Sequence, residues 1–287
     1  MCLPIVSGWK ELIESVRSGV PPTDAILAMR QHRLELQQKG VPAYEIEMVH
    51  AELATETDEF SEAHLVVQGD WVVLSEHISS YTDSLSDQPK TIDMKRRDLE
   101  RFSKHFKYGH DADSPNVADW VNSKLIDEDS LALTTCRRVI SNCRGYWTYL
   151  QRHHGLALPA PFENVVPRKN KKSKQLASPK RRHFTAQDFQ TLVKETKEDT
   201  QLKDLIFLGA YTGARIEELC SLKLKNVNKS CLIIEDAKTD AGTREVPVHS
   251  KIRPIVERLS SESSDGFLLS GLTYNKYGNR SNAIGKR

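Results

Sequence analysis

The stretch YTGARIEELCSL, Tyr211 to Leu222, decides how the second half of the chain is read. A largely apolar helix with Leu202, Leu205, Ile206 and Leu208 runs into it and ends near Gly209 to Gly213. A polar–apolar helix, ARIEELCSLKL, follows. This corner places Arg215 at the start of the new helix and Glu218 one turn later on the same face. The spacing suits a guanidinium held by a carboxylate while its other N–H groups grip an anion. Arginine is the fitting residue because its planar fork binds two phosphate oxygens at once. Taken alone, such a pair is more often an ordinary surface ion pair.

Downstream, Cys231 to Glu235 and Arg244 to Val248 read as two strands, and KTDAGT between them supplies turn residues. Lys238 then sits at a hairpin tip, from which a lysine can reach a cleft as a point charge or proton donor. Upstream, Phe184-Thr185-Ala-Gln-Asp188 is a helix start. Residues 184–287 therefore form a mixed α+β region.

Before it the composition breaks. Pro159, Pro161 and Pro167 end a helical pattern, and residues 163–183 read as a linker. From Arg168 to Arg182 there are eight basic residues and no acid: Arg168, Lys169, Lys171, Lys172, Lys174, Lys180, Arg181 and Arg182. Such a run is commonly a solvated tether, but joining two mixed-charge domains it can also neutralise several phosphates.

Residues 72–162 carry four helical patterns, a small bundle. In the last of them Val139, Cys143, Trp147 and Leu150 make an apolar stripe, and Arg137, Arg138 and Arg144 occupy the opposite face as candidate nucleic-acid contacts. Residues 1–71 form an acidic helical head, with one helix starting after Asp24 and stopping at Gly40 and a second from Ala43 to about Leu65.

The chain has 287 residues, of which 38% are hydrophobic, and a net charge of only +2. That average hides an asymmetry. Residues 1–75 hold five Lys/Arg against twelve Asp/Glu, a net of −7, whereas the remainder carries +9. Only the body is suited to face a polyanion. No apolar run is long enough for a membrane span, and the first residues lack the order of a secretory signal, so a cytoplasmic protein is expected. Five cysteines without a CxxC pair predict neither a metal site nor a disulfide framework.

Together, TGARIEEL and AKTDAGTREVPV resemble the tyrosine site-specific recombinase, or phage integrase, family. The four-helix block and basic linker are similar to its core-binding domain and connector, so the likeness covers about residues 72–287 and leaves out the acidic head. It implies a mainly α fold with a small α+β part, in which a SAM-like four-helix bundle precedes a recombinase catalytic domain. It further implies that Arg215 binds non-bridging oxygens of a scissile phosphate, that Glu218 orients the Arg215 region, and that Lys238 protonates the departing 5′ oxygen. The family's nucleophilic tyrosine makes a 3′-phosphotyrosine, so no cofactor or metal is implied. The implied partners are double-stranded DNA and other recombinase protomers, in the setting of a mobile genetic element.

The sequence departs from the family in one respect. No HxxR box occurs from Lys238 onward; His249 and Arg253 are one residue too far apart. Tyr274 and Tyr277 match the nucleophile only by residue type and are read as structural. The expectation is a chain that ends before the active site is complete and binds DNA without cutting it. A non-catalytic DNA-binding regulator or a decayed recombinase remnant is the alternative.

Overall fold

The computed structural model describes residues 24–168, 182–196, 198–235 and 243–285. They fall into two compact units that divide within the basic segment, at Gln175/Leu176.

The first unit begins with α1 (Ala25–Gln38), α2 (Ala43–Leu53) and α3 (Asp58–Gln68). One helix was expected from Ala43 to about Leu65, and the structure divides it at Ala54 to Thr57. Threonine chemistry explains the break. The Thr55 hydroxyl donates back to the Glu52 carbonyl at 2.7 Å, and Thr57, in extended backbone, caps α3 by accepting from the Phe60 N–H at 3.3 Å. Met29, Leu53, Phe60 and Ala63 close a small core among the three helices.

The head does not stand apart from the bundle. Val66 of α3 packs with Val73 and Tyr108, Arg30 forks onto Glu76 with both contacts at 2.9 Å, and the Tyr108 hydroxyl donates to Glu62 at 2.7 Å. Residues 1–71 and 72–162, distinguished in the sequence by charge, thus belong to one packed unit.

The bundle itself comprises α4 (Ile78–Asp83), α5 (Pro89–His105), α6 and α7 (Leu133–His153). Helix α6 spans Ser114–Asp119 and continues over Trp120–Glu128 with the wider winding of a π-helix. The apolar stripe read in the sequence is the buried side of α7: Val139, Cys143, Trp147 and Leu150 are at most 1% exposed. Trp147 meets Phe162 edge to face and donates its indole N–H to the Leu158 carbonyl at 3.2 Å. Gly145 is required by close approach, because a Cβ there would lie 2.8 Å from the Tyr81 hydroxyl.

The second unit contains α8 (Ala186–Glu195), α9 (Thr200–Thr212), α10 (Ile216–Cys220), β1 (Cys231–Ile234), β2 (Arg244–Pro247) and α11 (Arg253–Glu262). Thr185 and Asp188 form a reciprocal cap at the start of α8, as the sequence indicated. The strands pair antiparallel, with Cys231 opposite Pro247 and Ile234 opposite Arg244. Alternation on β1 buries Leu232 and Ile234 against Leu205, Leu208, Leu219 and Ile252. Asp204 of α9 receives two bonds from Arg258 of α11, at 2.7 and 2.8 Å. The architecture is mainly α with one small two-stranded sheet. No helix among the described residues is long and apolar enough to cross a membrane.

The three head helices contribute one histidine each to their junction: His32, His50 and His64. His50 is 1% exposed, its Nε2 lies 3.3 Å from His32 Nδ1, and the buried Nδ1 of His64 has no hydrogen-bond partner among the described residues. Burial, then the neighbouring His32 and Arg33, hold the His50 pKa down to about 4. Such a group is neutral when folded, so its share of stability is intact above the unfolded value of 6.5 and declines as pH falls toward 4. Amide exchange in α1–α3, corrected for its intrinsic pH dependence, is expected to accelerate over that window, and His50→Gln is expected to flatten the response.

Candidate functional site

The corner between α9 and α10 is built by backbone geometry. Gly213 closes α9 at φ +62°, a left-handed conformation that side-chain-bearing residues rarely adopt. Arg215 then caps α10 in an unusual way. Its backbone N–H donates to Glu218 Oε2 at 2.8 Å, and its own Nη1 donates to Oε1 at 2.7 Å.

The same carboxylate receives a second arginine. Arg244, the first residue of β2, donates Nη2 to Glu218 Oε2 at 2.8 Å and Nη1 to Oε1 at 3.4 Å. The Glu218 side chain is 8% exposed, whereas that of Arg215 is 73% exposed. The Arg244 hydrogen bond is the largest influence on Glu218; with the Arg215 contacts it outweighs burial and brings the carboxyl pKa down to about 2. Glu218 is therefore a fixed negative charge between two cations. A guanidinium carries five N–H donors, so one carboxylate does not saturate it. The arrangement suits recognition of an oxyanion presented from solvent at Arg215.

The adjacent Glu217 holds the opposite side of α10. It accepts from the backbone N–H groups of Arg280 and Ser281 at 2.9 and 2.8 Å. Arg280 is 2% exposed, lies 3.7 Å above the Phe267 ring, and donates to the carbonyls of Cys220 and Leu269 and to Asp265. Burial alone would raise the Asp265 carboxyl, but Arg280 and the Gly271 and Phe267 N–H groups bring it down to about 2.

The sequence-derived candidates are only partly gathered here. Arg215 and Glu218 meet as expected. Lys238 lies outside the described residues, as do Lys169, Lys171, Lys172, Lys174, Lys180 and Arg181. Arg168 is exposed, and Arg182 forks onto Asp188 with both contacts at 2.8 Å. On α7, Arg138 donates to the buried Asp98 at 2.6 Å, Arg144 to the Phe162 carbonyl at 3.0 Å and Arg137 to the Pro167 carbonyl at 3.3 Å. All three tie α7 to neighbouring segments; they do not form an uncommitted basic face. Tyr274 is exposed, and the Tyr277 backbone N–H is held by Asn275 in a turn. Neither is brought to Arg215 by a contact the structure shows.

Two features were missed in the sequence. Arg244 stood in the quoted hairpin, but only strand pairing carries it to Glu218. The second is a basic cleft of about 680 Å³ between α5 and α6, whose wall includes Arg97, Arg101, Lys104, Lys124 and Trp120. The first three are spaced i, i+4, i+7 and so share one face of α5. Arg101 approaches Asp129 at 3.6 Å, and Lys124 pairs with Glu128. The buried indole N–H of Trp120 has no acceptor among the described residues. The spacing was legible in KRRDLERFSKHF, though the linker run drew attention from it.

With that geometry in place, comparison with known proteins locates the fold. No protein-family model matches the chain, and no curated protein does. Solved structures do. A lambda integrase dimer bound to a COC′ core site superposes with a TM-score of 0.58 at 15% identity, over 72% of this chain and 59% of that one. A lambda integrase tetramer bound to a Holliday junction gives 0.57 at 14%, over 75% and 64%. The Tn1549 transposon integrase in complex with circular intermediate DNA gives 0.52 at 17%, over 72% and 73%. The chain thus has the tyrosine-recombinase fold, and the match spans about three fifths of the lambda integrase chains.

The buried Arg280 cluster makes a direct prediction. Arg280→Ala removes charged hydrogen bonds and leaves a cavity, so the second unit is expected to lose at least about 2–3 kcal/mol. Thermal melting followed by circular dichroism measures the loss.

Proposed function

We propose that this chain is a duplex-DNA-binding part of a tyrosine-recombinase-type protein, with Arg215 as its phosphate-gripping residue. The observation that carries the reading is the exposed Arg215 guanidinium, oriented by a buried carboxylate that a second arginine, Arg244, keeps ionised. A surface ion pair has no need of a second cation on a carboxylate already 8% exposed. The basic face of α5, the positive balance of residues 76–287, and the DNA complexes in which lambda and Tn1549 integrases were solved support the same reading.

In this reading Arg215 donates to non-bridging oxygens of one backbone phosphate and stabilises charge that builds there. Lys238 is the proton donor to a departing 5′ oxygen, and the linker lysines neutralise flanking phosphates. Arg97, Arg101, Lys104 and Lys124 hold the backbone from the first unit and carry affinity without sequence preference. Several protomers assemble on one DNA. The sequence supplies no HxxR box after Lys238, so binding, not strand cleavage, is the function assigned to this chain. The same fact favours a non-catalytic DNA-binding regulator or recombinase remnant as the second reading.

Binding to a labelled duplex, followed by anisotropy between 50 and 200 mM salt, tests the proposal. With about 6–10 phosphate contacts, affinity is expected to fall by roughly 10³ to 10⁵ across that range. Arg97→Ala and Lys104→Ala should each weaken binding to all duplexes alike and reduce the log–log salt slope by about 1. Arg215→Ala should do the same without lowering the melting temperature. A salt-independent affinity would overturn the reading.

A further inference from the structure

Nine large apolar side chains are exposed among the described residues, and their placement is uneven. Four lie on the first two head helices: Leu27 and Leu34 on α1, Tyr44 and Met48 on α2. Two more, Phe184 and Leu192, border a groove of about 590 Å³ between α8 and α9 of the second unit. We infer that these are two halves of one contact, in which the outward face of α2 docks into the α8–α9 groove of a second copy of this chain.

The α2 half has the pattern of a docking helix. Ile46, His50 and Leu53 are its buried row. Tyr44, Met48 and Ala51, spaced i, i+4, i+7, share the opposite side and are exposed. Tyr44 and Met48 are 65% and 67% exposed, far more than packing in the head requires. Such residues suit insertion, because a tyrosine anchors with little loss of freedom and a methionine adapts to an irregular surface.

The groove half complements it in shape and charge. Phe184, Phe189, Leu192, Ile206, Ala210 and Tyr211 contribute apolar wall. Phe189 packs edge-on to Phe207 and Tyr211, so the floor is fixed. Lys203 is i−3 from Ile206 and i−7 from Ala210, on the groove side of α9. Helix α2 carries Glu45, Glu47 and Glu52 and no lysine or arginine. An acidic amphipathic helix is thus matched to an apolar groove with a cation on its face. Because the two surfaces differ, the contact is head-to-tail, and each copy offers one of each.

The test uses the full chain without DNA, so its failure leaves the DNA-binding reading untouched. Sedimentation velocity over a range of concentrations compares the natural chain with a head variant (Tyr44→Glu, Met48→Glu) and a groove variant (Phe184→Glu, Leu192→Glu). The natural chain is expected to self-associate, and each variant to do so at least about tenfold more weakly. An equimolar mixture of the two variants should restore a dimer and nothing larger, since one intact head and one intact groove remain. Lys203→Glu, a milder change, should also weaken self-association, and melting curves confirm that each variant folds. A natural chain that stays monomeric, a mixture that fails to associate, or a groove variant that associates like the natural chain would each overturn the inference.

Discussion

The second unit depends on two adjacent carboxylates of one short helix. Helix α10 has five residues, too few to be stable by its own hydrogen bonds. Glu218 fastens it to the preceding corner and to β2 through Arg215 and Arg244, while Glu217 fastens it to the segment at Arg280 and Ser281. Neighbouring residues on a helix point about 100° apart, so the two side chains act in different directions. The helix is thereby held between the strand pair and the C-terminal segment, and Arg215 inherits its position from both. A fixed guanidinium loses less freedom on gripping an anion than one on a mobile stem.

The first unit solves a different problem, that of keeping a bundle rigid while charged residues surround it. Its core is aromatic, with Phe102, Trp120, Trp147 and Phe162 stacked edge to face or tilted within 6 Å. Asp98 is buried between α5 and α7, where desolvation pushes its carboxyl above the usual range despite Asn142 and Arg138. A buried carboxylate with that ligation is costly to leave unpaired, so α5 and α7 are held in one register. Register in turn determines which α5 residues face outward, and the row Arg97, Arg101 and Lys104 is the result.

Much of this architecture was legible because it is local. Helical periodicity gave the four bundle helices and the apolar side of α7, and i, i+3 spacing gave the Arg215–Glu218 pair. The fold class followed from the same patterns together with the family likeness. What was not legible was non-local or competitive. Arg244 reaches Glu218 only after antiparallel pairing sets it opposite Ile234, which no spacing in the chain encodes. Arg138 looked like an exposed cation because its partner, Asp98, lies forty residues earlier on another helix. The break before α3 was hidden because Thr55 and Thr57 divide an otherwise continuous helical pattern with side-chain hydrogen bonds, without any glycine or proline.

These misreadings share a cause with consequences for any basic protein of this kind. Counting cations along a sequence treats every lysine and arginine as available, but desolvated carboxylates and orphan carbonyls compete for them first. Arg137, Arg138, Arg144, Arg258 and Arg280 are all committed to the fold. Such commitments consume donors, yet they also set the geometry from which the remaining cations project. Arg215 shows both sides of that relation: one edge serves the helix cap, while most of the side chain stands in solvent. Affinity for a polyanion then comes from the uncommitted row on α5, whereas orientation comes from the anchored arginine. A change in the row alters binding strength in proportion to charge, and a change in the anchor alters where the phosphate sits.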